Sequence, residues 1–189
     1  MHDDRDSILA EVARAQATIF TTGYTLKETG RPEFPAYVEI NVHAPALWPL
    51  VRDLCNALLP ERAALLIGMK DGELHSCPYR AKSALLAAVE PYGESLARDG
   101  FVQFGFIWQH AGVTDEVFVP PARYLKIWTT RQAELEGVLR EHSIPRVQTL
   151  AFLDEYPLVT ETTYHPPEMY TYPELIERVL AADAELPEV

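Results

Sequence analysis

Basic residues and cysteines are both scarce in this chain of 189 residues. It carries 16 Lys and Arg against 28 Asp and Glu, for a net charge of −12. This balance argues against nucleic-acid binding, because phosphate recognition draws most of its affinity from clustered Lys and Arg. Cys55 and Cys77 lack metal-type spacing, and a single pair does not make a disulfide framework, so we expect two reduced thiols.

The chain also lacks a long hydrophobic run. No segment approaches the roughly 20 residues that span a bilayer. The N-terminal stretch MHDDRDSILAEV carries acids where a signal peptide has basic residues. We therefore expect a cytoplasmic protein that does not enter a membrane. With 48% hydrophobic and 23% charged residues, the composition is that of a globular protein, and the length fits one domain over residues 1–189.

Standard catalytic motifs are missing as well. We find no glycine-rich phosphate cradle, no H-E-x-x-H and no paired C-x-x-C. The closest approach to a nucleophile elbow, Gly93–Ala97, falls within a helical pattern. His75 and Cys77 share one face of a predicted strand, but two ligands do not make a metal site. The sequence predicts no catalytic residue, no metal and no cofactor.

Apolar spacing and cap signals predict five amphipathic helices. The segments are Ser7–Ala17, a stripe from Leu47 to Leu58, Ala81–Asp99, a helix after Thr129 and a C-terminal helix over residues 172–184. Pro91 and Gly93 should kink or split the third helix. Thr129 with Gln132, and Thr171 with Glu174, have the spacing of capping boxes.

Alternating and aromatic runs predict the strands. Tyr37–His43 alternates, with Tyr37 and Glu39 on one face and Val38 and Ile40 on the other. Two hairpins and a last strand follow: residues 64–70 with 73–79 around a two-residue turn at Asp71-Gly72, 101–110 with 116–128 around 111–115, and 148–154. Pro120 and Pro121 should interrupt the return strand of the second hairpin at an edge or bulge.

This order of elements predicts an α+β fold with a mainly antiparallel, twisted sheet and helices chiefly on one face. Hairpins imply antiparallel neighbours, and the helices fall between them. The sub-order strand, helix, hairpin, helix, strand from residue 37 to 110 matches a ferredoxin-like split βαβ core.

Charge is concentrated at the C-terminal end. Residues 148–189 hold nine acids and one base, for a net of −8, and the remaining chain carries only −4. Within this segment, residues 154–172 combine four tyrosines with three prolines and several acids, and Pro173 follows directly. Prolines stiffen a connection and tyrosines cover apolar surface, so we expect an ordered strap over the core, a recognition surface, or both.

The leading hypothesis is a non-enzymatic domain that binds a basic protein partner through this acidic, tyrosine-rich third. An immunity-type neutraliser of a toxin is one concrete form of it. The candidate partner-binding residues are Asp154, Glu155, Tyr156, Glu161, Tyr164, His165 and Tyr170.

Two alternatives remain open. In the first, the chain is a small hydrolase in which Asp154 or Glu155 orients His165 for general acid/base work. In the second, it is a homo-oligomeric scaffold that buries the aromatic hairpin over residues 101–128 against a second copy.

Overall fold

The strands of this computed structural model form one antiparallel sheet. The structure describes residues 21–155 and 169–189. The strands are β1 (Gly23–Glu28), β2 (Ala36–Asn41), β3 (Arg62–Met69), β4 (Leu74–Ala81), β5 (Val102–His110), β6 (Val113–Val119) and β7 (Leu125–Thr129). They lie in the order β1-β2-β7-β6-β5-β3-β4, and each neighbouring pair is antiparallel.

The described helices cover one face of this sheet. They are α1 (Ala44–Leu58), α2 (Lys82–Val89), α3 (Gly93–Arg98), α4 (Gln132–Glu141) and α5 (Glu174–Ala184). Along β2 the side chains alternate between buried and half-buried, as the sequence predicts, and Val38 and Ile40 face the core. Trp48 of α1 packs against Phe104 and Phe106 of β5. The α+β prediction is therefore confirmed, with helices on one side of an antiparallel sheet.

The ferredoxin-like sub-order is not adopted. In a split βαβ unit two parallel strands flank an antiparallel one, as β4 and β5 flank β3 here. The ferredoxin-like order would also place β2 next to β5, but β7 and β6 separate these two strands. The prolines explain the difference. Pro120 and Pro121 do not interrupt one return strand but reverse the chain, with Arg123 at φ 62°, so that β7 follows as a separate strand between β6 and β2.

Turn geometry also departs from the sequence prediction. The two-residue turn with two positive φ angles lies at Ala111 (49°) and Gly112 (78°), between β5 and β6. In the β3–β4 hairpin only Asp71 has a positive φ, of 60°, and the connection runs over residues 70–73. A two-residue connection forces both residues into the left-handed region, whereas this longer loop requires it of one residue only.

The first strand and the segment after α4 were mispredicted. β1 was not foreseen, because GYTLKE lacks a strong apolar alternation. Residues 148–154 do not form the expected strand. Instead the chain just before them runs beside β1, where Val147 N donates to Tyr24 O over 2.9 Å. A 3₁₀ turn over Leu153–Glu155 follows. The apolar content of residues 148–154 could not distinguish a strand from an irregular segment that lies on a sheet edge.

The sequence predicted the helices more accurately than the residues that cap them. The region over residues 81–99 splits, as expected, into α2 and α3 around a 3₁₀ turn at Glu90–Tyr92. Neither α4 nor α5 has a side-chain N-cap, and Thr129 instead accepts a hydrogen bond from Arg131 N (2.9 Å). The helix expected at Ser7–Ala17 lies outside the described residues. None of the described helices is long and apolar enough to cross a membrane.

A buried ion pair fixes the C-terminal helix to the sheet. Arg80 Nη2 of β4 lies 3.1 Å from Asp183 Oδ2 of α5, and the two side chains are only 6% and 4% exposed. Leu175 and Val179 of α5 are fully buried on the same side. An isolated charge in such a place would be strongly unfavourable, so each partner requires the other.

Replacing Asp183 by alanine should therefore lower the free energy of unfolding by about 3–5 kcal/mol, because it leaves the Arg80 cation buried without a counter-charge. Urea denaturation measures the change. The matched control is the double variant Arg80→Met with Asp183→Leu, which removes both charges and should be much less destabilising. A loss below about 1 kcal/mol in Asp183→Ala would contradict the assignment.

Candidate functional site

Two surface grooves lie near residues of the acidic C-terminal third. The first, the sheet-face groove, opens on the face of the sheet that the described helices leave uncovered. It has a volume of about 580 Å³ and is lined by Lys27, Glu39, Tyr124, Arg146, Asp154 and Glu155, among others. β1, β2 and the start of β7 form its floor. Residues 146–155, called the strap after α4 from here on, form its wall.

Two tyrosine–carboxylate hydrogen bonds organise the sheet-face groove. Tyr37 Oη donates to Glu39 Oε1 over 2.9 Å, and Tyr124 Oη donates to Asp154 Oδ2 over 3.0 Å. Lys27 Nζ lies 3.2 Å from Glu39 Oε2. Burial raises the pKa of both tyrosines, and their carboxylate partners raise it further. Both hydroxyls therefore stay protonated near neutral pH, so they serve as hydrogen-bond donors rather than as bases.

The charge of this groove is mixed. Lys27 and Arg146 line it beside three acids, and Lys126 Nζ lies 5.2 Å from the centre of the Tyr124 ring. Such an arrangement suits a ligand with both charges better than a purely basic one. Glu39 and Asp154 each accept a hydrogen bond from a tyrosine, and Glu39 also pairs with Lys27. The negative field at the groove is therefore weaker than that of three free carboxylates.

The structure separates the predicted partner-binding residues. Asp154 and Glu155 are both exposed at the sheet-face groove, as expected for a surface that meets a partner. Tyr170 lies elsewhere, on the helical layer. Its ring packs 5.7 Å from that of Tyr92 and 4.3 Å from the Arg178 guanidinium, and its N–H donates to Ser95 Oγ over 3.1 Å.

The other predicted partner-binding residues lie outside the described residues. They are Tyr156, Glu161, Tyr164 and His165. The hydrolase hypothesis, which requires His165, is therefore still a prediction. Ser95 lies inside α3, as the sequence indicated, and its hydroxyl oxygen accepts the backbone N–H of Tyr170.

The second groove, the C-terminal groove, lies between the β3–β4 hairpin and α5. Its volume is about 370 Å³, and its lining includes Met69, Glu73, His75, Tyr172, Ile176 and Glu177. The described residues hold four exposed large hydrophobic side chains: Met69 (41% exposed), Leu74 (38%), Tyr172 (37%) and Val189 (50%). Met69 and Tyr172 line this groove. Leu74 belongs to β4, and Val189 contacts β4 through its backbone.

Tyr172 is held in place from its backbone. Its N–H donates to Oδ2 of the buried Asp99 over 2.7 Å, and Asp99 Oδ1 accepts the N–H of Phe101 over 2.8 Å. The Tyr172 ring packs 6.4 Å from the Phe101 ring, and its hydroxyl lies 3.3 Å from Met69 Sδ. A tyrosine fixed in this way loses little conformational entropy when a partner covers it.

The charges around the C-terminal groove all have one sign. Glu73 and Glu177 are exposed at its rim, and no lysine or arginine occurs among the described residues that line it. His75 is exposed beside them. This groove therefore combines an apolar floor with an acidic rim.

A metal centre finds no support in the described residues, where no group of three or more His, Cys, Asp or Glu side chains could hold an ion. Cys77 lies beside Asp183, and burial, with a smaller effect of that carboxylate, raises the pKa of its thiol to about 11. Burial also raises the pKa of the Cys55 thiol. Neither thiol is poised as a nucleophile.

Sequence reasoning missed most of the residues that form the two grooves. Tyr37 and Glu39 did show a signal, since their spacing placed both on one strand face. Met69 and Tyr172 are 103 positions apart, and no local pattern could pair them.

Comparison with known proteins gives no relative. No protein-family model matches the chain, and neither does any curated protein or solved structure. Function must therefore be argued from the two grooves themselves.

The raised tyrosine pKa values predict a loss of stability in alkali. An unfolded tyrosine ionises at its ordinary pKa of 10.0, whereas Tyr37 and Tyr124 stay protonated in the fold. The contribution of these two tyrosines to the free energy of unfolding is therefore complete below about pH 10 and declines above it. Above pH 10 we expect each tyrosine to lower the free energy of unfolding by up to about 1.4 kcal/mol per pH unit, because the unfolded tyrosine releases a proton that the folded one retains.

Urea denaturation at several pH values tests this expectation with Tyr37→Phe and Tyr124→Phe, which should flatten the alkaline slope. Tyr172→Phe removes the same atom from an exposed side chain and is the matched control. Parallel slopes for all four proteins would contradict the assignment.

Proposed function

We propose that this chain is a protein-binding domain that engages a basic protein partner through the C-terminal groove. One observation carries the proposal: Met69 and Tyr172, two of the four exposed large hydrophobic side chains of the described residues, line one groove, and the acidic residues Glu73 and Glu177 line it with them. Scattered exposed hydrophobics are ordinary, whereas a cluster with a polar rim is typical of an interaction site.

The apolar and charged parts of the groove have different roles in this proposal. Met69, Tyr172 and Ile176 offer surface whose burial supplies free energy, and tyrosine is enriched at the residues that dominate binding. Glu73 and Glu177 select partners of opposite charge and speed their approach. The net charge of −12 extends that attraction beyond the groove.

Asp154 and Glu155 belong to a second acidic surface in this proposal. Both are exposed, which supports a contact with the same partner at the sheet-face groove. The lysine and arginine side chains there weaken the preference for a basic ligand, so this contact is secondary. An immunity-type neutraliser of a basic toxin is one class of protein that such acidic surfaces would suit, and only the charge supports that narrower assignment.

The oligomer hypothesis receives less support. The hairpin over residues 101–128 supplies β5, β6 and β7, which lie inside the sheet with strands on both sides. Its backbone is therefore already paired, and only side chains on the uncovered face could meet a second copy.

The test begins with capture of a partner from the native host, followed by calorimetry on the purified pair. The double variant Glu73→Lys with Glu177→Lys should weaken binding by about tenfold or more and reduce the dependence on salt. The matched control, Glu134→Lys with Glu141→Lys, changes net charge equally on exposed positions of α4 and should bind nearly as well.

Two results would overturn the proposal. One is that the captured protein is not basic, or that none is retained. The other is that the groove variant and the α4 variant bind equally, since binding would then follow net charge rather than the C-terminal groove.

A further inference from the structure

In the described part of the chain β4 is an edge strand, and no strand pairs with the outer side of its first half. It pairs with β3 on one side and is the last strand of the sheet. Leu74, His75 and Ser76 are all exposed. An edge strand of this kind presents unpaired N–H and C=O groups, which natural proteins usually protect.

The second half of β4 is protected. Pro78 cannot donate a backbone hydrogen bond, and Arg80 is buried by its ion pair with Asp183. The chain itself adds a bond there, since Val189 N donates to Tyr79 O over 3.2 Å. The exposed stretch is therefore limited to the residues that precede Pro78, and these adjoin the C-terminal groove through His75.

We propose that this stretch of β4 accepts an extended, basic segment of the partner as an additional strand. The inference rests on the proposed function and specifies how the same groove is used. Backbone hydrogen bonds to Leu74–Cys77 provide the attachment, and alternate side chains provide specificity, as in other cases of strand addition.

The groove defines which side chains that segment carries. In a strand, successive residues point to opposite faces. His75 pairs with Ile67 of the buried face, so residues of the added strand on that side lie toward α5, above Ile176 and Glu177. Leu74 and Ser76 face the uncovered side. Aliphatic residues facing the groove and lysine or arginine within reach of Glu73 and Glu177 complement this surface.

A second copy of the chain fits the edge less well than a basic segment. Pairing two β4 edges would bring two acidic rims together, and like charges across an interface are unfavourable. Each copy also carries a net charge of −12, which opposes self-association.

The experiment uses the full chain and three fluorescent peptides measured by anisotropy. In the first, the residues that face the groove are valine at the centre and lysine at both ends, with threonine at the alternate positions. The second replaces each lysine by glutamate, and the third is the first with N-methyl groups on the amides of one edge. N-methylation removes backbone donors while keeping side chains and charge. We expect the first peptide to bind, the second not to bind, and the third to bind at least about tenfold more weakly.

Hydrogen exchange locates the bound peptide. Among residues 74–76, the amides that point away from β3 should exchange more slowly when the first peptide is present, and this protection should be lost in Glu73→Lys with Glu177→Lys. The α4 variant Glu134→Lys with Glu141→Lys should keep it. Protection elsewhere, or equal affinity of the N-methylated peptide, would overturn strand addition.

The outcomes separate this inference from the proposed function. If the captured partner loses affinity for the groove variant but leaves residues 74–76 unprotected, the groove binds and strand addition is wrong. If sedimentation shows a dimer that Ser76→Pro disrupts, the edge serves a second copy, and the inference is again wrong.

Discussion

An antiparallel sheet whose described helices all lie on one face is the constraint from which the other features of this fold follow. Because the described helices all lie on the same side, strands such as β2 must alternate between core residues and half-exposed ones. The uncovered face then offers polar and aromatic side chains, among them Tyr37, Glu39 and Trp128. A sheet that remains open also has two edges, and each needs its own protection.

The two edges are protected differently, and that difference produces the candidate site. β1 is covered by the strap after α4, where Tyr24 N donates to Pro145 O and Val147 N donates to Tyr24 O, each over 2.9 Å. Among the described residues, β4 is protected toward its end, by Pro78 and by the hydrogen bond from Val189 N to Tyr79 O. The Arg80–Asp183 pair holds α5 beside that same strand, so one wall of the C-terminal groove depends on a buried ion pair.

Local patterns predicted the elements of this fold well but not their neighbours. The alternation in YVEINV fixed the faces of β2, and the proline and glycine near residues 91–93 marked the break between α2 and α3. The turn after Val119 was misread because two prolines can interrupt a strand or reverse it, and only the pairing of β7 with β2 decides between these outcomes.

The same limit applies to the candidate site. Acid and tyrosine content drew attention to the C-terminal third, which supplies Tyr172 and Glu177, but the other half of the groove comes from Met69, Glu73 and His75. Those residues belong to a hairpin about a hundred positions away in sequence, and only the docking of α5 on β4 brings them together.

A count of acids overstates the field that a partner would meet. Of the acids in residues 148–189, Asp183 is neutralised within the core by Arg80, Glu174 pairs with Arg178 over 2.8 Å, and Asp154 accepts the hydroxyl of Tyr124. Of the other described acids in this range, the exposed Glu177, Glu185 and Glu188 lie on or just beyond α5, and the exposed Glu155 lies at the sheet-face groove, where it accepts the N–H of Phe152. The negative field of the described C-terminal residues is therefore strongest beside β4. The unpaired strand edge and the exposed apolar side chains lie there too. We therefore favour this edge as the partner-binding site over the sheet-face groove, whose charges are mixed.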